Sequence, residues 1–201
     1  MLPEKLIEHW PVLIGCALLI VGAVIDGWKL KVPNWITATT VVTAWIYWGA
    51  QGWEAFGMSL LGTLIAGALL LGPWIIGAMG GGDVKLYAGF GAWAVPLPWF
   101  GIQHLLLAFA ISVILGAAMS VVMIMWQKTL LVNLENVREI LHDWTNSSSV
   151  EEVAAKAKER KPRLQLLPYG VPLTIGSLGY LAYTLPSMSM VTVALVGGIT
   201  P

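Results

Sequence analysis

Charge is what this chain has least of. Only 11% of its residues are charged, against about 25% in an ordinary soluble domain. With 57% hydrophobic residues and a mean hydropathy of +0.77, that scarcity excludes a water-soluble globular fold. No nucleic-acid partner is expected. Cysteine is almost absent as well: Cys16 stands alone in an apolar run, which excludes an internal disulfide and a cysteine-rich zinc site. It reads as packing or lipid-facing filler. The three histidines, His9, His104 and His142, are scattered and suggest no metal cluster, so neither a metal nor an organic cofactor is expected. The first ten residues lack a basic segment, carrying Glu4, Lys5 and Glu8, so no cleavable signal peptide is expected.

What remains is apolar and arranged in runs. A helix crossing a bilayer needs about 20 apolar residues. Six segments approach this: Trp10–Ile25, Trp35–Gly49, Phe56–Met79, Val84–Pro98, Ile102–Trp126 and Leu164–Pro186. They lack the alternation of barrel strands. The expectation is an all-α membrane protein, a single domain over residues 1–201 with six transmembrane helices. A polar stretch, 127–163, separates helices five and six. Within it Leu130, Leu134, Val137, Leu141 and Trp144 share one helical face, the mark of an amphipathic helix on the membrane or on neighbouring helices. Glu151–Arg160 reads as a second, charged helix ended by Pro162.

The cations orient the chain. Six crossings place Lys29, Lys31, Lys85, Lys128, Arg138, Lys156, Lys158, Arg160, Lys161 and Arg163 on one side and only Lys5 on the other. By the positive-inside rule the loops after segments one, three and five are cytoplasmic and both termini lie outside. Trp10, Trp28, Trp35, Trp48, Trp53, Trp99 and Trp126 sit near predicted helix ends, as interfacial belts require. In the third segment Gly57, Gly62, Gly67, Gly72 and Gly77 recur every five residues and therefore spiral. Ser59, Thr63 and Gly67 share a face suited to close helix packing.

Against this background one stretch stands out: Gly80-Gly81-Gly82-Asp83-Val84-Lys85, directly after the uncharged run Phe56–Met79. A carboxylate at such a boundary loses hydration, which makes it a functional candidate that needs a partner. Of the 11 acids only Asp26 and Asp83 adjoin spans at the membrane boundary, and both fall on the cytoplasmic side. Two carboxylates brought together in a poorly hydrated site share a proton. The ionised one can activate water and the protonated one can donate to a carbonyl, as in an aspartic protease. The plainer reading is that each caps a helix, with Asp83 as N-cap before Val84. The glycines favour the former, since their backbone admits close approach of an extended substrate. A phosphate loop is excluded because no Lys-Ser or Lys-Thr follows.

These residues resemble a known family. Gly80-x-Gly82-Asp83 matches the GxGD motif of membrane-embedded aspartyl proteases, and Gly80-Gly81-Gly82-Asp83-Val84-Lys85-Leu86 resembles the bacterial type IV prepilin peptidases. Asp26 is followed by Lys29, Lys31 and Val32-Pro33-Asn34, as in that family, and Pro168-Tyr169-Gly170 is a third match. The likeness runs from about residue 10 to 186. It is to the short form, similar to the tight-adherence (Flp) pilus peptidases, without the paired CxxC motifs of the larger enzymes that also N-methylate. Archaeal preflagellin peptidases are a secondary likeness, and presenilin-like proteases, with their Tyr-Asp and Pro-Ala-Leu motifs, are less similar.

The resemblance implies an inner-membrane endopeptidase that removes the leader of prepilins at the cytoplasmic face, without N-methylation. Asp26 and Asp83 would be the catalytic pair. Gly80, Gly81, Gly82, Lys85, Pro168, Tyr169 and Gly170 would shape the site. A prepilin and the lipid bilayer are the expected partners. Lys85 reads either as a positive-inside anchor or as a residue biasing Asp83 or meeting an anionic head group. Tyr169 reads as a hydrogen-bonding group near the dyad or as an interfacial aromatic, and Pro33-Asn34 as structural. A rival reading, a small transporter component, expects acids in mid-span. The sequence has none there. A non-catalytic assembly subunit would tolerate loss of either Asp.

Overall fold

The structure, a computed structural model, describes residues 10–127, 130–147, 149–160 and 168–197. Among these are eight α-helices and no strand. They are α1 (Pro11–Lys29), α2 (Asn34–Gln51), α3 (Trp53–Ile75), α4 (Gly81–Ala94), α5 (Gly101–Gln127), α6 (Leu130–Asn146), α7 (Val150–Arg160) and α8 (Gly170–Gly197). Three are long and apolar enough to cross a membrane: α1, α3 and α5. The six apolar runs all carry helix, and among the described residues these three meet that measure. Helix α4 has 14 residues, about 21 Å at 1.5 Å per residue, short of a hydrocarbon core of about 30 Å. The sixth run is helical from Gly170, and the helix continues through Pro186 to Gly197. Its expected first residues, 164–167, and the expected helix stop Pro162 lie outside the described residues.

The short helix is the centre of the bundle. Helix α4 packs most extensively against α3, then α2 and α1, with lighter contact to α8 and α5. Leu86, Tyr87, Phe90 and Trp93 are all buried in it. Small residues make this possible. A Cβ added at Gly62 of α3 would lie 2.8 Å from the Val95 Cβ, and one at Gly91 of α4 would lie 2.6 Å from the Ala66 Cβ. The two backbones therefore approach at a distance only glycine permits. Ser59 donates to the Ala92 carbonyl at 2.7 Å, and Thr63 accepts from Trp45 Nε1 at 3.1 Å, so the small-residue face packs on α4 and α2 together. The five-residue glycine row is not one feature, for Gly57 and Gly72 meet nothing.

Two expectations about side chains need correction. Trp10, Trp28, Trp35, Trp53 and Trp126 are exposed, as belt residues should be, but Trp48 is buried at 3% exposure and packs edge-on to Tyr47. Trp99 is half-buried against the core. A tryptophan at a helix end fills an inter-helix gap as readily as it meets an interface. Cys16 is partly buried on the same core. In α6, Val137 and Leu141 of the expected apolar face are exposed; Leu130, Leu134 and Trp144 lie outside the described side chains.

Gly62→Ala is expected to lower thermal stability in detergent, at an overpacking cost of about 1–3 kcal/mol. Gly57→Ala, on the same helix facing open space, is expected to leave the melting temperature unchanged or slightly raised. Equal melting of the two variants would contradict the crossing.

Candidate functional site

The chain folds so that the ends of α1 and α4 meet. Helix α1 stops at Leu30, whose φ of 51° is left-handed and whose N–H donates to the Asp26 carbonyl at 2.8 Å. The next three residues are irregular. Pro33 then serves as the N-cap of α2 in extended conformation, its carbonyl accepting the Ile36 N–H at 3.1 Å. Proline thus stands one residue before the first turn expected for it. Val32, only 3% exposed, packs on the glycine segment, where a Cβ at Gly82 would lie 3.0 Å from the Val32 Cβ.

Helix α4 begins at Gly81 with Gly80 as its cap, so Asp83 is the third helical residue and not the N-cap. Its Oδ2 reaches back to accept the Gly80 N–H at 3.1 Å. This is the acidic half of a capping box. Asp83 therefore does have a capping contact, from a position that also turns the carboxylate into the cleft. Asp26 is held from another direction. Its Oδ2 accepts the buried N–H of Gly170, first residue of α8, at 3.0 Å. A Cβ at Gly170 would lie 2.9 Å from that oxygen. Both carboxylates thus sit at a helix N-terminus, where free N–H groups and the helix dipole favour negative charge.

Asp26 and Asp83 are 2% and 4% exposed, and both line one cleft of about 380 Å³. Gly80, Gly81, Gly82 and Lys85 line it too, as expected, together with Leu30, Lys31, Val32 and Asn34. Tyr169, half-buried, lies within electrostatic reach of Asp83. Pro168 is also half-buried, two residues before the start of α8. Lys85 Nζ donates to Asn34 Oδ1 at 3.1 Å, so it clips the two sides of the cleft mouth together. That role was not among those expected for it. Leu30 escaped the sequence reading because nothing in an apolar residue between two lysines marks a left-handed turn, and the Val32-Pro33-Asn34 match did not reveal that Val32 is buried against Gly82.

The arrangement defines a class: an all-helical membrane protein whose two buried carboxylates share a cleft with a glycine segment. The description "type IV leader peptidase family" matches residues 13–121, more than half of the chain. The chain belongs to that family, and the family implies peptidase activity on a protein substrate. The matched stretch contains Asp26, Gly80–Asp83 and Lys85, while Pro168, Tyr169 and Gly170 lie beyond it. No curated protein and no solved structure gave a significant match.

Gly170→Ala, which pushes a methyl group into the Asp26 carboxylate, is expected to cut leader-peptide cleavage by about 10–100-fold, the scale of a small misplacement at a reacting group. Gly179→Ala, further along α8 in open space, is expected to cleave at the parental rate. Comparing initial cleavage rates of the two variants in membranes checks the contact.

Proposed function

We propose that this chain is an aspartic endopeptidase, with Asp26 and Asp83 as the catalytic pair, that removes the leader of type IV prepilins or prepilin-like proteins. The observation that carries this is the convergence of Asp26 and Asp83, 57 positions apart, on one cleft. The carboxylates share one proton, because two ionised acids in a poorly hydrated site repel and desolvate each other. The ionised member draws a proton from water, which attacks the scissile carbonyl. The protonated member donates to the carbonyl oxygen as it gains charge. When the C–N bond breaks, the amine takes the proton that the first carboxylate gained, and a hydroxyl of the diol returns its proton to the second carboxylate as the new carboxyl forms.

The remaining residues position this chemistry. Gly80–Gly82 carry no side chains to obstruct an extended substrate backbone at the wall of the cleft. The Gly170 and Gly80 N–H groups each hold one oxygen of a carboxylate and so fix its orientation in the cleft. Tyr169 is a candidate donor beside Asp83. Lys85 and Asn34 keep the α1–α2 turn against α4 and so hold the cleft mouth. The chemistry needs no metal and no organic cofactor.

The placement in the membrane follows the charge distribution. Six spans, with both termini outside, put the cleft and the α6–α7 region at the cytoplasmic face of the inner membrane. A prepilin would then present its apolar helix to the bilayer and its basic leader to the cytoplasm. Short helices such as α4 cross in this reading because their neighbours bury them and the local bilayer thins.

Asp26→Asn and Asp83→Asn are each expected to abolish leader removal from a co-expressed prepilin, scored by size, while the protein stays inserted and melts as the parent does. Cleavage by either variant at the parental rate would remove that residue from the pair. In a Cys16→Ala background, Glu54→Cys is expected to react with a membrane-impermeant maleimide from outside intact cells, and Ser147→Cys only after permeabilisation. The reverse pattern would invert the topology.

A further inference from the structure

Helix α7 is charged along most of its length, with Glu151, Glu152, Lys156, Lys158, Glu159 and Arg160 among its 11 residues. Two of its described residues are buried: Val153 at 8% and Ala157 at 4% exposure. They lie four apart and so share one face. On that face Ala157 rests on the segment between α3 and Asp83. A Cβ at Gly77 would lie 2.9 Å from the Ala157 Cβ and 3.3 Å from the Ala157 carbonyl oxygen. Gly77 has a φ of 77°, a conformation that favours glycine, so the turn and the helix fit as a pair.

The segment is held from its other side by α3. Gly77 N–H donates to the Trp74 carbonyl at 3.0 Å and Ala78 N–H to the Pro73 carbonyl at 2.9 Å. Met79 follows, buried at 2% exposure, and then Gly80, whose N–H holds Asp83. Beside this seam α7 and the segment enclose a cleft of about 250 Å³. Helix α7 is itself tied to α6 by Lys156 Nζ, 3.8 Å from Asp143, which also lies 3.2 Å from Ser147 Oγ in the connection and 2.9 Å from Glu152 within α7. The path from Ala157 through Gly77 to Gly80 and Asp83 is continuous packing and backbone.

We propose that α7 is the positioning element of the site, with Ala157 a positioning residue that acts through Gly77 to set the Gly80–Asp83 segment. This rests on the reading of Asp83 as catalytic. The polar stretch between α5 and α8 is then a working part of the enzyme, because it covers the one turn whose conformation places the carboxylate.

The test uses the full chain in detergent or nanodiscs and a purified type IV prepilin as substrate. Ala157→Leu is expected to lower kcat tenfold or more with KM within twofold of the parent. It is also expected to speed hydrogen exchange across residues 76–83. Val153→Ser is expected to move both readouts the same way by a smaller factor, and decides the matter if the leucine variant does not insert. Ala155→Leu, the same substitution on the exposed face of α7, is the control and leaves both unchanged. Parental kcat and parental exchange in both core-face variants would overturn the proposal. So would a rise in KM at unchanged kcat, which would make α7 a substrate-binding surface. If the parent cleaves no prepilin, the proposed activity fails on its own, while the exchange measurement still tests whether α7 holds the segment.

Discussion

Two carboxylates buried in an apolar bundle are the constraint on which this structure turns. An unpaired ion there loses several kcal/mol of hydration, and a hydrogen bond to a charged group returns about 1.5–3 kcal/mol. Each carboxylate is therefore met by a backbone N–H at the start of a helix: Asp26 by Gly170 and Asp83 by Gly80. Side-chain cations do not supply these contacts. Lys85, the nearest cation in sequence to Asp83, spends its ammonium group on Asn34 instead.

The rest of the fold can be read as what brings those helix ends together. Helix α4 is short, so its first turn stays near one end of the bundle, and it is central, so several other helices surround it. Glycines at its crossing with α3 set how close the two backbones come. Helix α8 arrives after a long polar excursion, and its first N–H completes the seat of Asp26 from 144 positions away. A change in any of these packing layers moves a carboxylate without touching it.

The outer layer differs in kind. Helices α6 and α7 are amphipathic and contact the bundle only lightly. Elements with few buried contacts open at lower free energy than a core does. Yet α7 sets its buried Ala157 on the turn that leads into Asp83. The exposed Val137 and Leu141 leave an apolar face of α6 beside it. An amphipathic helix of this kind suits a membrane surface.

Much of this was legible in the sequence, for identifiable reasons. The helical class follows from long apolar runs without alternation. The importance of Asp26 and Asp83 follows from the scarcity of charge, because two acids beside spans stand out when so few acids exist. The glycine segment and Lys85 follow from adjacency to Asp83. Other features were not legible. Trp48 looks like Trp53 in sequence, and only its neighbours make one buried and the other exposed. The N-cap role of Gly80 depends on where the α4 backbone begins, which moves Asp83 to the third position. The Lys85–Asn34 bond, the packing of Val32 on Gly82 and the seat of Asp26 on Gly170 join residues about 50 to 144 positions apart. Composition and spacing determine which groups are costly to bury. Only the tertiary structure decides which distant backbone N–H group relieves that cost, because the partner is chosen by packing and carries no side-chain signature.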